Sequence, residues 1–149
     1  SSPVEIYKYD NNGNQLWHTT EDIEPKVGGY PHYEDLWQTG TDSDGNFYIS
    51  ASIISGLGPI EGGINFGMTK YNSNGTREWR HITDIFDRWD APRGMIVNHN
   101  DIIYQNGNAD GGCGMMRYDQ GGTILSQDIN TPATGFKYCW NSAVDPFNN

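Results

Sequence analysis

The chain has 149 residues, enough for one domain with a real core. Nine basic against nineteen acidic residues give a formal charge of −10, which excludes the basic footprint of a nucleic-acid-binding protein and disfavours docking on anionic membranes. No stretch approaches the roughly 20 apolar residues of a membrane-inserted helix, and Ser1-Ser2-Pro3 leads straight into the first predicted strand, as in a mature or excised chain.

Residues 4–9 alternate apolar and polar side chains, the pattern of a half-buried strand. Asp10-Asn11-Asn12-Gly13 supplies an Asn-Gly pair, which predicts a type I′ hairpin turn because both central residues of that turn need positive φ. The returning strand covers 15–19, with Trp17 as its apolar anchor, and a long loop follows over 21–35. A third strand is predicted at 36–41, a tight turn at Asp42-Ser43-Asp44-Gly45, and a fourth strand at 46–53. Four antiparallel strands joined this way read as one propeller blade.

The order then repeats. Strands at 67–72 and 76–82 flank Asn74-Gly75, a loop covers 83–93, and strands at 94–97 and 101–106 flank Asn98-His99-Asn100. A third round offers strands at 114–119 and 123–127, then 136–144, with Asp145-Pro146-Phe147-Asn148-Asn149 matching the turn that starts at Asp42. The tripeptides Glu21-Asp22-Ile23, Thr83-Asp84-Ile85 and Gln127-Asp128-Ile129 fall at matching places. Periods of roughly 40–50 residues built from short strands mark propeller blades or related arrays. The expectation is an all-β, β-propeller-like array of about three four-stranded antiparallel blades: repeat 1 over about 4–63, repeat 2 over about 64–112, and repeat 3 over about 113–149 without its last strand. An incomplete third blade predicts a piece of a larger propeller, with further blades from the same or another chain.

The motif behind the repeat is apolar-x-Lys-Tyr-Asp-x-x-Gly-x-x-x-Trp, then a turn before a Tyr-containing strand. It occurs as Ile6 to Trp17 with 41–50, as Met68 to Trp79 with 97–105, and partially at Met116 to Leu125, where Leu125 is read in place of the Trp. This resembles the bacterial SBBP-type β-propeller repeat over nearly the whole chain. The resemblance implies a scaffold of secreted or cell-surface proteins and no particular reaction. A similar strand pair occurs in quinone-cofactor dehydrogenase propellers, but nothing here matches their metal and cofactor ligands.

The turns at Asp10 and Asp42 resemble the start of a calcium loop, yet the twelfth residue from Asp42 is Ile53, where a bidentate Glu belongs. Asp and Asn are also what tight turns require. The turns are read as structural, calcium is the one metal they would accept, and no other cofactor is expected. His18, His32, His81 and His99 show no metal spacing. Cys113 and Cys139 could form one disulfide in an oxidising compartment or act as two small buried hydrophobes. No serine-hydrolase elbow, phosphate loop or zinc-protease helix is present.

Chemistry is expected in the loops after each second strand: Tyr30, His32 and Tyr33 in the first, Trp89, Asp90 and Arg93 in the second, Tyr138 and Trp140 near the third. Flat aromatics beside polar and charged groups suit a sugar, with a platform for its C–H face and partners for its hydroxyls. The same aromatics would serve as packing between blades. The reading is a secreted or cell-surface binding module for a glycan or other surface ligand. The alternatives are an assembly module without a small ligand, such as an adhesin or fibre unit, and a polysaccharide-degrading enzyme using His32, Tyr33, Arg93 and Tyr138.

Overall fold

The structure, a computed structural model, describes residues 4–21, 35–55, 63–85, 90–109, 112–130, 139–141 and 143. Ten strands follow one another: β1 (Val4–Tyr9), β2 (Gln15–Glu21), β3 (Asp35–Thr41), β4 (Phe47–Ser55), β5 (Gly63–Tyr71), β6 (Arg77–Thr83), β7 (Asp90–Val97), β8 (Ile103–Ala109), β9 (Gly112–Tyr118) and β10 (Ile124–Asn130). All pairings are antiparallel. The expected all-β architecture with hairpin-linked strands is therefore what forms.

The strands group differently from the sequence units. The sheets are β1-β2, β3-β4-β5-β6 and β7-β8-β9-β10, so each four-stranded sheet joins the second half of one unit to the first half of the next. The reason lies in the β4–β5 and β8–β9 ladders, which run unbroken from Phe47↔Tyr71 to Ser55↔Gly63 and from Ile103↔Tyr118 to Ala109↔Gly112. The chain leaves a sheet only after β2 and after β6. Consequently β9 and β10, expected to open an incomplete third blade, complete the sheet begun by β7 and β8. The predicted loop over 83–93 is also shorter, since β7 starts at Asp90.

The hairpin turns are not type I′. The amide of Gly13 donates to the carbonyl of Asp10 at 3.0 Å, and Asn12 and Asn14 donate their amides to Asp10 Oδ1 at 2.8 and 2.9 Å. Gly13 has φ 83°, and Asp101 is the only non-glycine with positive φ among the described residues. This is a type I turn closed by a left-handed residue. Asp or Asn at the first position selects it by bonding its own backbone. The same turn recurs at Asp42, Asn72, Asn98 and Asp119. Gly45, Gly75 and Gly122 take the left-handed place, and Asp101 takes it at Asn98.

The three sheets pack face to face in chain order. Ile6 meets Ile49, Ala51, Ile53 and Tyr71 between the first and second sheets. Tyr48, Phe66 and Met68 meet Met95, Ile103, Met116 and Tyr118 between the second and third. The middle sheet is covered on both faces, so β5 is buried from Asn65 to Tyr71, while β9 alternates as a strand with one covered face does.

Each interface is fastened by the repeat motif. Lys8 Nζ and Trp17 Nε1 donate to the Ser73 carbonyl at 3.1 and 2.8 Å. Lys70 Nζ and Trp79 Nε1 donate to the Gln120 carbonyl at 2.9 and 3.0 Å. In both cases the acceptor is the second residue of a turn in the following sheet. The indole lies on that turn's glycine, for a Cβ would stand 2.8 Å from Trp17 at Gly75 and 3.0 Å from Trp79 at Gly122. In the third copy Ser126, not Leu125, faces Arg117 across the ladder, as Trp17 faces Lys8 and Trp79 faces Lys70. The same register shift stands in all three hairpins, so the Trp place falls at Ser126 and Leu125 is the residue that the shift skips.

Polar groups complete the joints. Gln105 Nε2 donates to Ser50 Oγ at 2.9 Å and to the Gly67 carbonyl at 2.8 Å, and Gln105 Oε1 accepts from Tyr118 OH at 3.2 Å. Asp42 Oδ2 accepts from Asn46, Tyr48 and Gln120 at 2.8, 2.8 and 3.1 Å. Burial pushes the Asp42 carboxyl up, but these donors outweigh it and hold it below the usual carboxylate range. Burial and the adjacent Asp42 push the Tyr48 phenol well above its ordinary value.

Candidate functional site

Arg93 of β7 lies between two tryptophans. Its guanidinium carbon sits 4.0 Å from the Trp37 ring centre and 5.3 Å from that of Trp140. Trp37 belongs to β3, and its Nε1 donates to Ser52 Oγ at 2.6 Å, which fixes the indole against the sheet. Trp140 belongs to the short described segment 139–141 and is 64% exposed. The result is a three-layer stack, apolar–cation–apolar, with one outer indole face open to solvent. Cation–π contacts of this kind contribute about 0.5–2 kcal/mol each, more when water is excluded.

Three contacts seat residues 139–141. A disulfide joins Cys139 to Cys113 of β9, with Cα atoms 5.6 Å apart. The Cys139 amide donates to Asn108 Oδ1 at 3.0 Å. The Asn141 backbone lies against Gly94, where a Cβ would fall 2.9 Å from Asn141 Cα. Any larger side chain at 94 would lift the segment off β7. Beside Trp140 opens a cleft of about 590 Å³ whose walls include Asn106, Met115, Asp128, Ile129, Asn130 and Asn141. Its walls therefore combine amides, one carboxylate, an aromatic plane and aliphatic groups, a composition suited to a polyhydroxylated ligand.

The chain matches no family model and no curated protein.

Of the residues expected to form it, the structure brings Arg93 and Trp140 together. Asp90 is fully buried, and its Oδ2 accepts the Ile85 amide at 2.5 Å. Tyr30, His32, Tyr33, Trp89 and Tyr138 lie outside the described residues. Trp37 is the member that the sequence reading missed. The signal was present, since Trp37, Arg93 and Trp140 each stand five residues before an Asp or Asn that the repeat aligns in sequence, Asp42, Asn98 and Asp145. The stack is thus one repeat position met three times.

The two turns that resemble the start of a calcium loop use their oxygens internally. Asp10 and Asp42 accept their own turn amides and the side chains of Asn14 and Asn46. The uncharged Asn72 and Asn98 build the same turn, so the carboxylate charge is not what the geometry needs. No group of three or more His, Cys, Asp or Glu converges among the described residues. His81 Nε2 pairs with the Gly122 carbonyl at 2.6 Å across the joint between the second and third sheets, and His18 pairs with Glu5 within the first. Among the described residues no helix is long and apolar enough to cross a membrane.

Proposed function

We propose that the protein is a carbohydrate-binding module that takes a glycan on the exposed face of Trp140 and in the adjoining cleft. The observation that carries this reading is the stack itself. An isolated surface tryptophan is an apolar liability, whereas this one is held flat by Arg93 and tethered by a disulfide, so its outer face is pre-organised for a sugar ring. Asp128, Asn130 and Asn141 supply hydroxyl partners within the same cleft. The aromatic layer contributes affinity and the amides contribute orientation.

In the same reading the three sheets are successive blades of a β-propeller with β3 and β7 on its inner side, akin to the SBBP-type repeats that the motif resembles. The protein works outside the cell or at its surface, where a disulfide persists. Of the residues that a polysaccharide-degrading enzyme would draw on, Arg93 is occupied between two indoles, which favours binding over turnover.

The test is calorimetric titration against a panel of neutral and acidic oligosaccharides, with wild type and Trp140→Ala side by side. Saturable binding that weakens tenfold or more in the variant, about 1.4 kcal/mol, supports the reading, provided the melting temperature of the variant is unchanged. Equal binding by both proteins, or none by wild type across the panel, overturns it.

A further inference from the structure

The first and third sheets present complementary faces. In the second and third sheets the strand positions filled by Thr69 and Tyr71, and by Met116 and Tyr118, are buried under the preceding sheet. The equivalent positions in β1 are Tyr7 and Tyr9, which are 48% and 55% exposed. The turn beside them has the full geometry of its siblings, with Gly13 at φ 83°. Where Gly75 and Gly122 lie against an indole, a Cβ at Gly13 would meet nothing within 4 Å. The Asn11 carbonyl occupies the place held by the acceptors Ser73 and Gln120. This is a formed receiving face whose indole-covered glycine is bare.

The giving face recurs on β9 and β10. Arg117 stands where Lys8 and Lys70 stand, and its Nε is buried without a hydrogen-bond partner among the described residues. Its guanidinium carbon lies 5.3 Å from the Tyr104 ring centre, which keeps the cation at the sheet surface. Ser126 opposite it leaves the space that an indole fills in the other two copies.

We propose that a second copy of this chain docks head to tail, the Arg117 face of one molecule on the Tyr7–Tyr9 face and Asn11–Gly13 turn of the next. The contact repeats the chemistry of the two internal joints: a cation donates to a turn carbonyl, and a tyrosine enters an aromatic and aliphatic surface. It lacks the indole, so it is weaker than they are and depends on concentration. A heterologous contact of this kind builds rings or open chains and not isologous pairs.

Sedimentation velocity of the intact chain from about 5 to 500 µM, a span chosen to bracket typical weak association, is the test. The proposal expects a mass that rises above the 16.7 kDa of one chain. Tyr9→Asp and Arg117→Glu should each hold the protein at one chain, with unchanged circular dichroism. Their equimolar mixture should regain a single contact, because one supplies an intact giving face and the other an intact receiving face. Ser126→Trp, which restores the third indole, should tighten association tenfold or more. A single-chain mass across the range for wild type and Ser126→Trp alike, or association that neither face variant weakens, overturns it.

Discussion

The indole N–H of Trp79 donates to the backbone carbonyl of Gln120 at 3.0 Å across the joint between the second and third sheets. Because the acceptor is a main-chain oxygen, this bond does not depend on the side chain there, which is Ser at 73 and Gln at 120. The glycine two places on is not free, since the ring rests on it. Trp79→Phe keeps most of the packing and removes one donor from a partly buried carbonyl that Lys70 still contacts. The expected cost is about 1 kcal/mol, read as a lower urea midpoint at unchanged slope. Gly122→Ala combines a left-handed φ of 89° with a Cβ pressed on the ring, and should cost about 1–3 kcal/mol. If Gly122→Ala proves neutral, the indole is not seated as described.

Asp42 ties the stability of the same joint to pH. Its folded carboxyl titrates below its unfolded value because Asn46, Tyr48 and Gln120 donate to it against the opposing effect of burial. A depressed carboxylate contributes stability that is present above the unfolded pKa and lost as pH falls through the folded one. Asp119, lowered by the Thr123 amide and side chain, has the same sign. Stability should therefore hold from neutral pH down to about 4 and fall below it. Asp42→Asn places an amide N–H₂ among donors and should cost about 1–3 kcal/mol at pH 7. Urea titrations at pH 7, 5 and 3 check both points: the gap between wild type and Asp42→Asn should narrow at pH 3. A gap of constant size would show that the charge is not what Tyr48 and Gln120 recognise.

The Cys113–Cys139 bridge closes a loop of sequence separation 26. In the chain-entropy account a loop of this length is worth about 3.5 kcal/mol. It also carries Trp140, so breaking it should cost more than stability. Cys113→Ser with Cys139→Ser should lower the melting temperature and red-shift the fluorescence of Trp140, isolated as the difference from a Trp140→Phe background. Loss of stability without that red shift would mean that Asn108 and Gly94 alone seat the segment.

Much of this fold was legible because its signals are local. Alternation gave the strands, and Asp or Asn followed by glycine gave the turns at Asp10, Asp42 and Asn72. The turn type was misread because an Asn-Gly pair serves two geometries. The choice falls to the residue two places before it, since Asp10 Oδ1 bonds the amides of Asn12 and Asn14 in the type I form. Sheet membership was also misread. It depends on whether the strands after a loop pair with those before it, and the β4–β5 ladder is a long-range choice that spacing does not encode. For the site, repeat alignment located Arg93 and Trp140 near each other, and the burial of Asp90 was invisible. Asp90 reads as a binding carboxylate from its neighbours Trp89 and Arg93, but its role is decided by the Ile85 amide.

Arg93 is the point where packing and recognition meet. A planar guanidinium can stack on two indoles at once; an ammonium on a flexible stem does not. Its buried Nε has no hydrogen-bond partner among the described residues, and the two indoles are the contacts its guanidinium makes there. Arg93→Lys retains the charge and loses the planar contact to Trp37 at 4.0 Å and Trp140 at 5.3 Å. It should cost about 1–2 kcal/mol of stability and weaken glycan affinity, since Trp140 would no longer be held flat. Trp37→Phe, which keeps an aromatic face but drops the Ser52 bond, should disturb stability and leave affinity nearly unchanged. Calorimetric affinities and urea midpoints for the two variants separate these effects. If Arg93→Lys binds as wild type does, Trp140 is positioned by its disulfide alone and the stack is a packing device.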